Sequence, residues 1–326
     1  MPTTTTDTIT DTTTLLSNVS ITSSPGGLGI STDGGTTFTN KTIADGLGSN
    51  TVNGVFVVDN YVYAATTNGL SISTNGGISF TNYTTDNGLG SNIVNGVYAF
   101  ANNSKIYAAT NGGLSISTNG GTTFTNKTTA DGLGSNMVNG VVSVYAFLKY
   151  TVYAATDNGL SISTNDGTTF TNYTTANGLG SNMVNGVSTG FSSPSSTTVL
   201  VATNGGLSTT TTKNIGQFTN YTKGLGSITV NGASGFGSAI YAATNNGLSI
   251  STDAGKNFTN KTTTNGLGSN TVNGVYGYLY AATDNGLSIS TNDGKNFTNK
   301  TTANGLGSNK VNGVYEKSST IYAATG

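Results

Sequence analysis

GLSISTNGGISFTNYTTDNGLGSNIVNGVY, residues 69–98, followed by Tyr-Ala-Ala-Thr at 107–110, contains four short runs separated by Asn-Gly, Gly-Gly and similar turn dipeptides. Each run is too short for a helix, and Gly interrupts every 3.6-residue period, so the runs read as strands joined by tight turns. The pattern recurs along the chain. Its Phe falls at Phe38, Phe80, Phe124, Phe170, Phe218, Phe258 and Phe297, at spacings of 42, 44, 46, 48, 40 and 39 residues. Four strands in a repeat of about 40 residues is the signature of a propeller blade. The predicted fold is therefore all-β: a seven-bladed β-propeller with four-stranded blades.

The order of the pieces predicts how the ring closes. The chain enters the pattern with Gly-Leu-Gly-Ile-Ser at 27–31 and leaves it with Val-Asn-Gly-Val at 311–314 and Tyr-Ala-Ala-Thr at 322–325, so neither end holds a whole unit. With Val-Asn-Gly-Val innermost and Phe-Thr-Asn outermost, the two ends share one blade, and no open edge remains to recruit another chain. Residues 27–326 form the propeller. Residues 1–26, rich in Thr and nearly uncharged, read as a tail or linker; within it Leu15 to Ile21 has the composition of a strand that docks on the propeller or on another subunit.

Composition removes whole classes of chemistry. Among 326 residues there is no Cys, His or Trp, all 12 basic residues are Lys, and Glu316 is the single Glu. Disulfides, thiolate or imidazole metal sites and His-based triads are excluded, and no cofactor is implied. A net charge of −1 without Arg lacks the electrostatic footprint of a nucleic-acid binder. No apolar window is long enough for a transmembrane helix, and the first residues have neither the basic nor the apolar region of a signal peptide.

Two resemblances rest on quoted residues. Gly46-Leu-Gly-Ser-Asn-Thr-Val52 with Tyr63-Ala-Ala-Thr-Thr-Asn-Gly-Leu70 resembles the two-component-regulator propeller repeat, with Gly48, Tyr63 and Ala65 standing where that family carries Pro, Trp and Gly. Ser31-Thr-Asp-Gly-Gly-Thr-Thr-Phe38 is similar to the Asp-box of sialidases and photosystem-assembly propellers. Together they cover residues 27–326. They imply the fold; function varies widely over such scaffolds.

Comparison among the units indicates what the repeated residues do. The Asp-box position holds Asp33 and Asp253 in two units but Asn75, Asn119, Asn165 and Asn292 in four others. A catalytic carboxylate does not tolerate an amide, whereas an Asx turn accepts either side chain. Asp45 and Asp131 alternate in the same way with Asn87, Asn177, Asn265 and Asn304 before a turn Gly.

Two rings of Asn remain. Asn53, Asn95, Asn139, Asn185, Asn231, Asn273 and Asn312 lie on the innermost strands, where they either line the central channel as an amide ring or tie each blade to its neighbour. Asn40, Asn82, Asn126, Asn172, Asn220, Asn260 and Asn299 are N-x-Thr sequons on the outermost strands, and Asn18, Asn102, Asn257 and Asn296 add four more; all are candidate glycan acceptors along a glycosylating export route.

Length varies in one place, between the innermost strand and Tyr-Ala-Ala-Thr. Residues 98–105, 142–150 and 188–198 differ there, and all are expected on one face of the disc. Loops on a rigid scaffold carry function, so Tyr98, Phe100, Tyr145, Phe147 and Tyr150 are candidate anchors for a partner.

The reading that follows is a non-catalytic propeller at an extracellular, cell or virion surface. It would bind glycan or protein, or serve as part of an appendage, with near-identical units suited to multivalent contact and the tail available to other subunits. The alternative is a ligand-binding sensor propeller of a two-component type. A glycan-active enzyme is the third reading; sialidases hold the substrate carboxylate with Arg, which this chain lacks.

Overall fold

The computed structural model describes residues 26–101, 104–146, 149–193, 196–277 and 280–326. Leu15 to Ile21, Asn18, Asn102, Phe147 and Pro194 lie outside them.

Seven four-stranded antiparallel sheets are arranged as blades. Six are built from consecutive strands: blade 1 over residues 52–83, blade 2 over 94–127, blade 3 over 138–173, blade 4 over 184–221, blade 5 over 230–261 and blade 6 over 272–300. Blade 7 joins the ends of the chain. Its inner strands are Val311–Lys317 and Thr320–Thr325, its outer strands Gly27–Ser31 and Thr39–Lys41, and Gly27 pairs with Thr325 across the seam. The predicted shared blade is present, with Val-Asn-Gly-Val innermost and Phe-Thr-Asn outermost.

Alternation along each strand places the core between blades rather than within them. Tyr63, Ala65, Leu70 and Ile72 of blade 1 face Val94, Ile106 and Ala108 of blade 2, and all of these are buried. The paired Ala residues allow that approach because they add no bulk where two sheets meet. Leu47, Leu89, Leu133, Leu179, Leu267 and Leu306 are each buried between blades.

In six blades the outer strand runs into a one-turn 3-10 helix that explains the Asp/Asn exchange. Thr42 caps residues Ile43–Asp45, and the Asp45 carboxylate accepts from the Thr42 N–H at 2.9 Å. In blade 1 the Asn87 Oδ1 takes the same bond from Thr84 at 3.0 Å, since only an oxygen is needed there. Gly46 then adopts φ 97°, and a Cβ on it would lie 2.0 Å from the Phe80 carbonyl oxygen. That contact marks an inter-blade link, because the Phe80 N–H donates to the Asp45 carbonyl at 2.9 Å.

Candidate functional site

Each Val-Asn-Gly-Val strand carries a β-bulge at its Asn: Val52 pairs with Thr66 and Gly54 with Ala65, leaving Asn53 as the extra residue. The same shift occurs at Asn95, Asn139, Asn185, Asn231, Asn273 and Asn312. A bulge re-aims its side chain. Here it turns the amide sideways: Asn53 Nδ2 donates to the Val94 carbonyl at 2.8 Å, Asn95 to Val138 at 2.8 Å, Asn139 to Val184 at 2.9 Å and Asn185 to Val230 at 2.8 Å. Asn231 continues to Val272 at 2.8 Å, Asn273 to Val311 at 2.9 Å, and Asn312 closes the circle on Val52 at 2.9 Å. In five of them Nδ2 also reaches a second oxygen, such as Asp157 Oδ1 from Asn139 at 2.9 Å. The inner Asn ring therefore spends its donors on holding neighbouring blades together.

The outer Asn ring is equally engaged. Asn82 Nδ2 donates to the Asn68 carbonyl at 2.9 Å, its Oδ1 accepts from Ser71 Oγ at 2.9 Å, and Ser71 Oγ accepts from the Gly48 N–H at 2.9 Å. Asn68 Nδ2 completes the circuit on the Gly48 carbonyl at 3.0 Å. Asn40, Asn126, Asn172, Asn220, Asn260 and Asn299 donate to the carbonyls of Gly26, Gly112, Asn158, Gly205, Asn246 and Asn285. Six of the seven are half-buried and Asn220 is exposed. Nδ2 sits close against the Gly backbone beside it, a Cβ on Gly69 lying only 2.7 Å from Asn82 Nδ2, so the geometry opposes glycan attachment at these positions.

The Ser-Thr-Asp/Asn-Gly turns are closed by their own side chains. Asp33 accepts from Ser31 Oγ at 2.7 Å, Thr37 Oγ1 at 2.7 Å and the Thr37 N–H at 3.0 Å, and these bonds hold its carboxyl well below the usual carboxylate range. Asn75 Oδ1 takes the corresponding bond from the Ser79 N–H at 3.1 Å.

The channel opens at the other end of the inner strands into a cavity of about 830 Å³ lined by all seven blades. The residue that follows Val-Asn-Gly-Val, or Val-Asn-Gly-Ala in blade 5, sets its character. Tyr276, Tyr315, Phe56 and Tyr98 occupy it in four consecutive blades, whereas Val142, Ser188 and Ser234 occupy it in the other three. The aromatic side forms a continuous arc, with ring centroids 4.6 Å apart for Tyr276–Tyr315, 5.1 Å for Tyr315–Phe56 and 5.0 Å for Phe56–Tyr98. The arc runs outward through Phe100, edge-on to Tyr98 at 5.4 Å, to Tyr150 at 4.6 Å and Tyr145 at 4.7 Å. Burial pushes the Tyr315 and Tyr98 phenols above their ordinary pKa, so both remain neutral donors. On the opposite side Ser188 Oγ donates to the Ala233 carbonyl at 2.6 Å, and Ser234 Oγ accepts from the Gly277 N–H at 3.2 Å. Glu316 is the one carboxylate in the wall.

Four predicted anchors fall on this arc. Tyr98 and Phe100 are half-buried within it, while Tyr145 and Tyr150 at its end are 57% and 36% exposed. Phe56, Tyr276, Tyr315 and the 69%-exposed Phe236 on the far rim were not singled out by sequence. The signal for Phe56, Tyr276 and Tyr315 lay in the unit-to-unit variation of one position, Phe, Tyr, Val, Ser, Ser, Tyr, Tyr, which Phe236 does not share.

Fold and site together define the chain as a seven-bladed β-propeller with a cavity at one mouth of its channel. No protein-family model matches the chain. No curated protein matches it either. Among solved structures it is similar to the extracellular domain of a hybrid two-component system from B. thetaiotaomicron, at TM-score 0.69 and 19% identity over 88% of this chain and 40% of that one. PorZ, an essential surface component of the type-IX secretion system of Porphyromonas gingivalis, matches at 0.58 and 16% over 84% and 35%. An ancestral GH74 enzyme matches at 0.51 and 20% over 70% and 34%. The chain thus spans less than half the length of each of these, and the likeness shows the fold. Among the described residues no helix is long and apolar enough to cross a membrane.

Proposed function

We propose that the protein is a non-catalytic recognition propeller displayed outside the cell, and that it takes a glycan or a protein segment at the aromatic mouth of its channel. The carrying observation is the divided wall of the cavity. Four aromatic rings in mutual tilted contact on one side offer apolar surface, and Ser188, Ser234 and backbone groups on the other offer polar contacts, the mixture that recognition pockets use. Against catalysis stands the chemistry of the wall: hydrolysis of glycosides needs two carboxyl groups facing one bond, and the wall supplies Glu316 alone.

A sensor propeller is the second reading, favoured by the likeness to the extracellular two-component domain. It uses the same mouth for a ligand and differs in what the binding event triggers. That structure and PorZ support an extracellular or surface setting; a virion surface has no support from them.

The test is binding of the purified chain to a glycan array and to cell-envelope fractions, with Phe56→Ala, Tyr315→Ala and Tyr150→Ala beside the wild type. Selective binding lost in the first two variants supports the channel mouth. Binding that survives both places recognition elsewhere, and turnover of any bound glycan would overturn the non-catalytic reading.

A further inference from the structure

The interface between blades 4 and 5 differs from the other six. In six blades the second strand carries Tyr at the core position, as Tyr63, Tyr107, Tyr153, Tyr241, Tyr280 and Tyr322, and the third strand carries Ile, as Ile30, Ile72, Ile116, Ile162, Ile250 and Ile289. These two positions are cross-strand partners, as Tyr153 with Ile162, and both face the next blade. In blade 4 the pair is Leu200 and Thr209. A phenol ring and part of an aliphatic chain are therefore missing from one interface.

Blade 5 draws close at its inner strand, where a Cβ on Gly235 would lie 2.7 Å from Gly190 Cα, and Leu200 packs on Val230, Ile240 and Ala242, but the space is not filled. A cavity of about 410 Å³ lies there, walled by Leu200, Thr209, Thr211, Tyr221, Ile240 and Ala254, and it shares no lining residue with the channel mouth. Gly237, Ser238 and Ala254, all exposed, rim its opening to solvent. Blade 2 shows what ordinarily occupies this place. There Tyr107 reaches across to blade 3, and its hydroxyl donates to Asp166 Oδ1 at 3.1 Å. Leu200 corresponds to Tyr107 and Ala254 to Asp166, so the cavity lies between the two positions that the phenol bridges in blade 2.

We propose that the cleft between blades 4 and 5 is a binding site for a small, uncharged monocyclic phenol. The class follows from the shape the other blades fill with a Tyr ring. It follows also from the wall, which is mainly apolar, with the hydroxyls of Thr198, Thr209, Thr211 and Ser238 and the Tyr221 phenol as its polar groups and no charged side chain. Asp166 has no counterpart at Ala254, so no fixed charge meets the ligand on that side. A charged ring would lose hydration without a partner.

The test uses the full chain and p-cresol, the Tyr side-chain analogue, followed by titration calorimetry and by ligand-observed NMR. Saturable one-to-one binding is expected. Leu200→Tyr, which supplies the ring from within, and Thr209→Ile, which narrows the same space, should each weaken it by about tenfold or more. Melting curves of both variants check that they are folded, and either one alone suffices. Binding of undiminished strength in folded Leu200→Tyr or Thr209→Ile, or no saturable binding to the wild type, overturns the proposal. Phe56→Ala belongs to the other cavity and separates the two: loss of glycan or protein binding in that variant leaves this site unaffected.

Discussion

Asn312 on the last inner strand donates its Nδ2 to the carbonyl of Val52, 260 residues earlier in the chain, at 2.9 Å. This bond closes the ring at its inner edge, as the pairing of Gly27 with Thr325 closes blade 7 between its second and third strands. Asn312→Ala leaves the buried carbonyl without that donor, and a loss of about 1–2 kcal/mol in urea unfolding is expected. A wild-type midpoint in this variant would show that the circle of amides adds nothing to closure.

Removing residues 27–42 takes away both outer strands of blade 7 and exposes the edge of Thr320–Thr325. Light scattering should then detect oligomers, because an uncovered strand is a template for pairing. A monomeric truncation that unfolds cooperatively would contradict the shared blade.

Gly29 stands where six blades carry Ser, and Asn40 Oδ1 is consequently buried with no hydrogen-bond donor. Gly29→Ser restores the hydroxyl that Ser71 gives to Asn82. Its Cβ would meet Leu306 Cδ2 at 3.0 Å, a flexible methyl that can yield. The expected result is a gain of up to about 1 kcal/mol, abolished in an Asn40→Ala background.

Asp45 and Asp131 are held below the ordinary carboxylate value of 3.8, first by the backbone N–H groups of Thr42 and Thr128 and also by Lys41 and Lys127. Hydrogen bonds from Asn257 hold Asp253 at about 2. Because the folded values are depressed, the unfolded chain takes up protons first. The stabilisation is complete above about pH 4 and drains away as pH falls through the folded values. The double variant Asp45→Asn, Asp131→Asn, which copies Asn87, should be somewhat less stable than the wild type near pH 7, lose stability less steeply between about pH 4 and pH 2, and so converge with it in acid. Parallel acid limbs in urea midpoints would refute this.

In a glycosylating host, peptide mapping should find Asn40, Asn82, Asn126, Asn172, Asn220, Asn260 and Asn299 unmodified, since each side-chain amide is held to a backbone carbonyl and packed against the Gly backbone of its blade. Among the described residues, Asn296, exposed on a turn, is a sequon with room for a sugar. Occupancy at Asn82 would mean that the circuit through Ser71 is dispensable.

The blade count, the strand order and the shared seventh blade were legible because the turn dipeptides and the Phe period are local signals. The direction taken by Asn53 and its equivalents was not. Alternation assigns a side chain to one of two faces, and a bulge breaks the alternation at that residue, so both readings were open until the register of Val52 with Thr66 and Gly54 with Ala65 was known. The anchors Tyr98, Phe100, Tyr145 and Tyr150 were found through loop length, whereas Phe56, Tyr276 and Tyr315 lie in strands of unremarkable length. Leu200 and Thr209 were not singled out by sequence, and only their cross-strand pairing makes the two absences a single space.

The seam in blade 7 also imposes an order on events. Blades 1 to 6 are built of hairpins whose strands are neighbours in sequence, so each can assemble from its own stretch of chain soon after collapse. Gly27–Ser31 must instead wait for Thr320–Thr325, almost the whole chain away, and the loop entropy of that meeting falls only once the intervening blades have curved into a ring. Blade 7 is then the last to form and the slowest step, and until it forms the nascent disc is a lockwasher with two sticky ends. Crowded chains at that stage are in danger of closing on one another instead of on themselves.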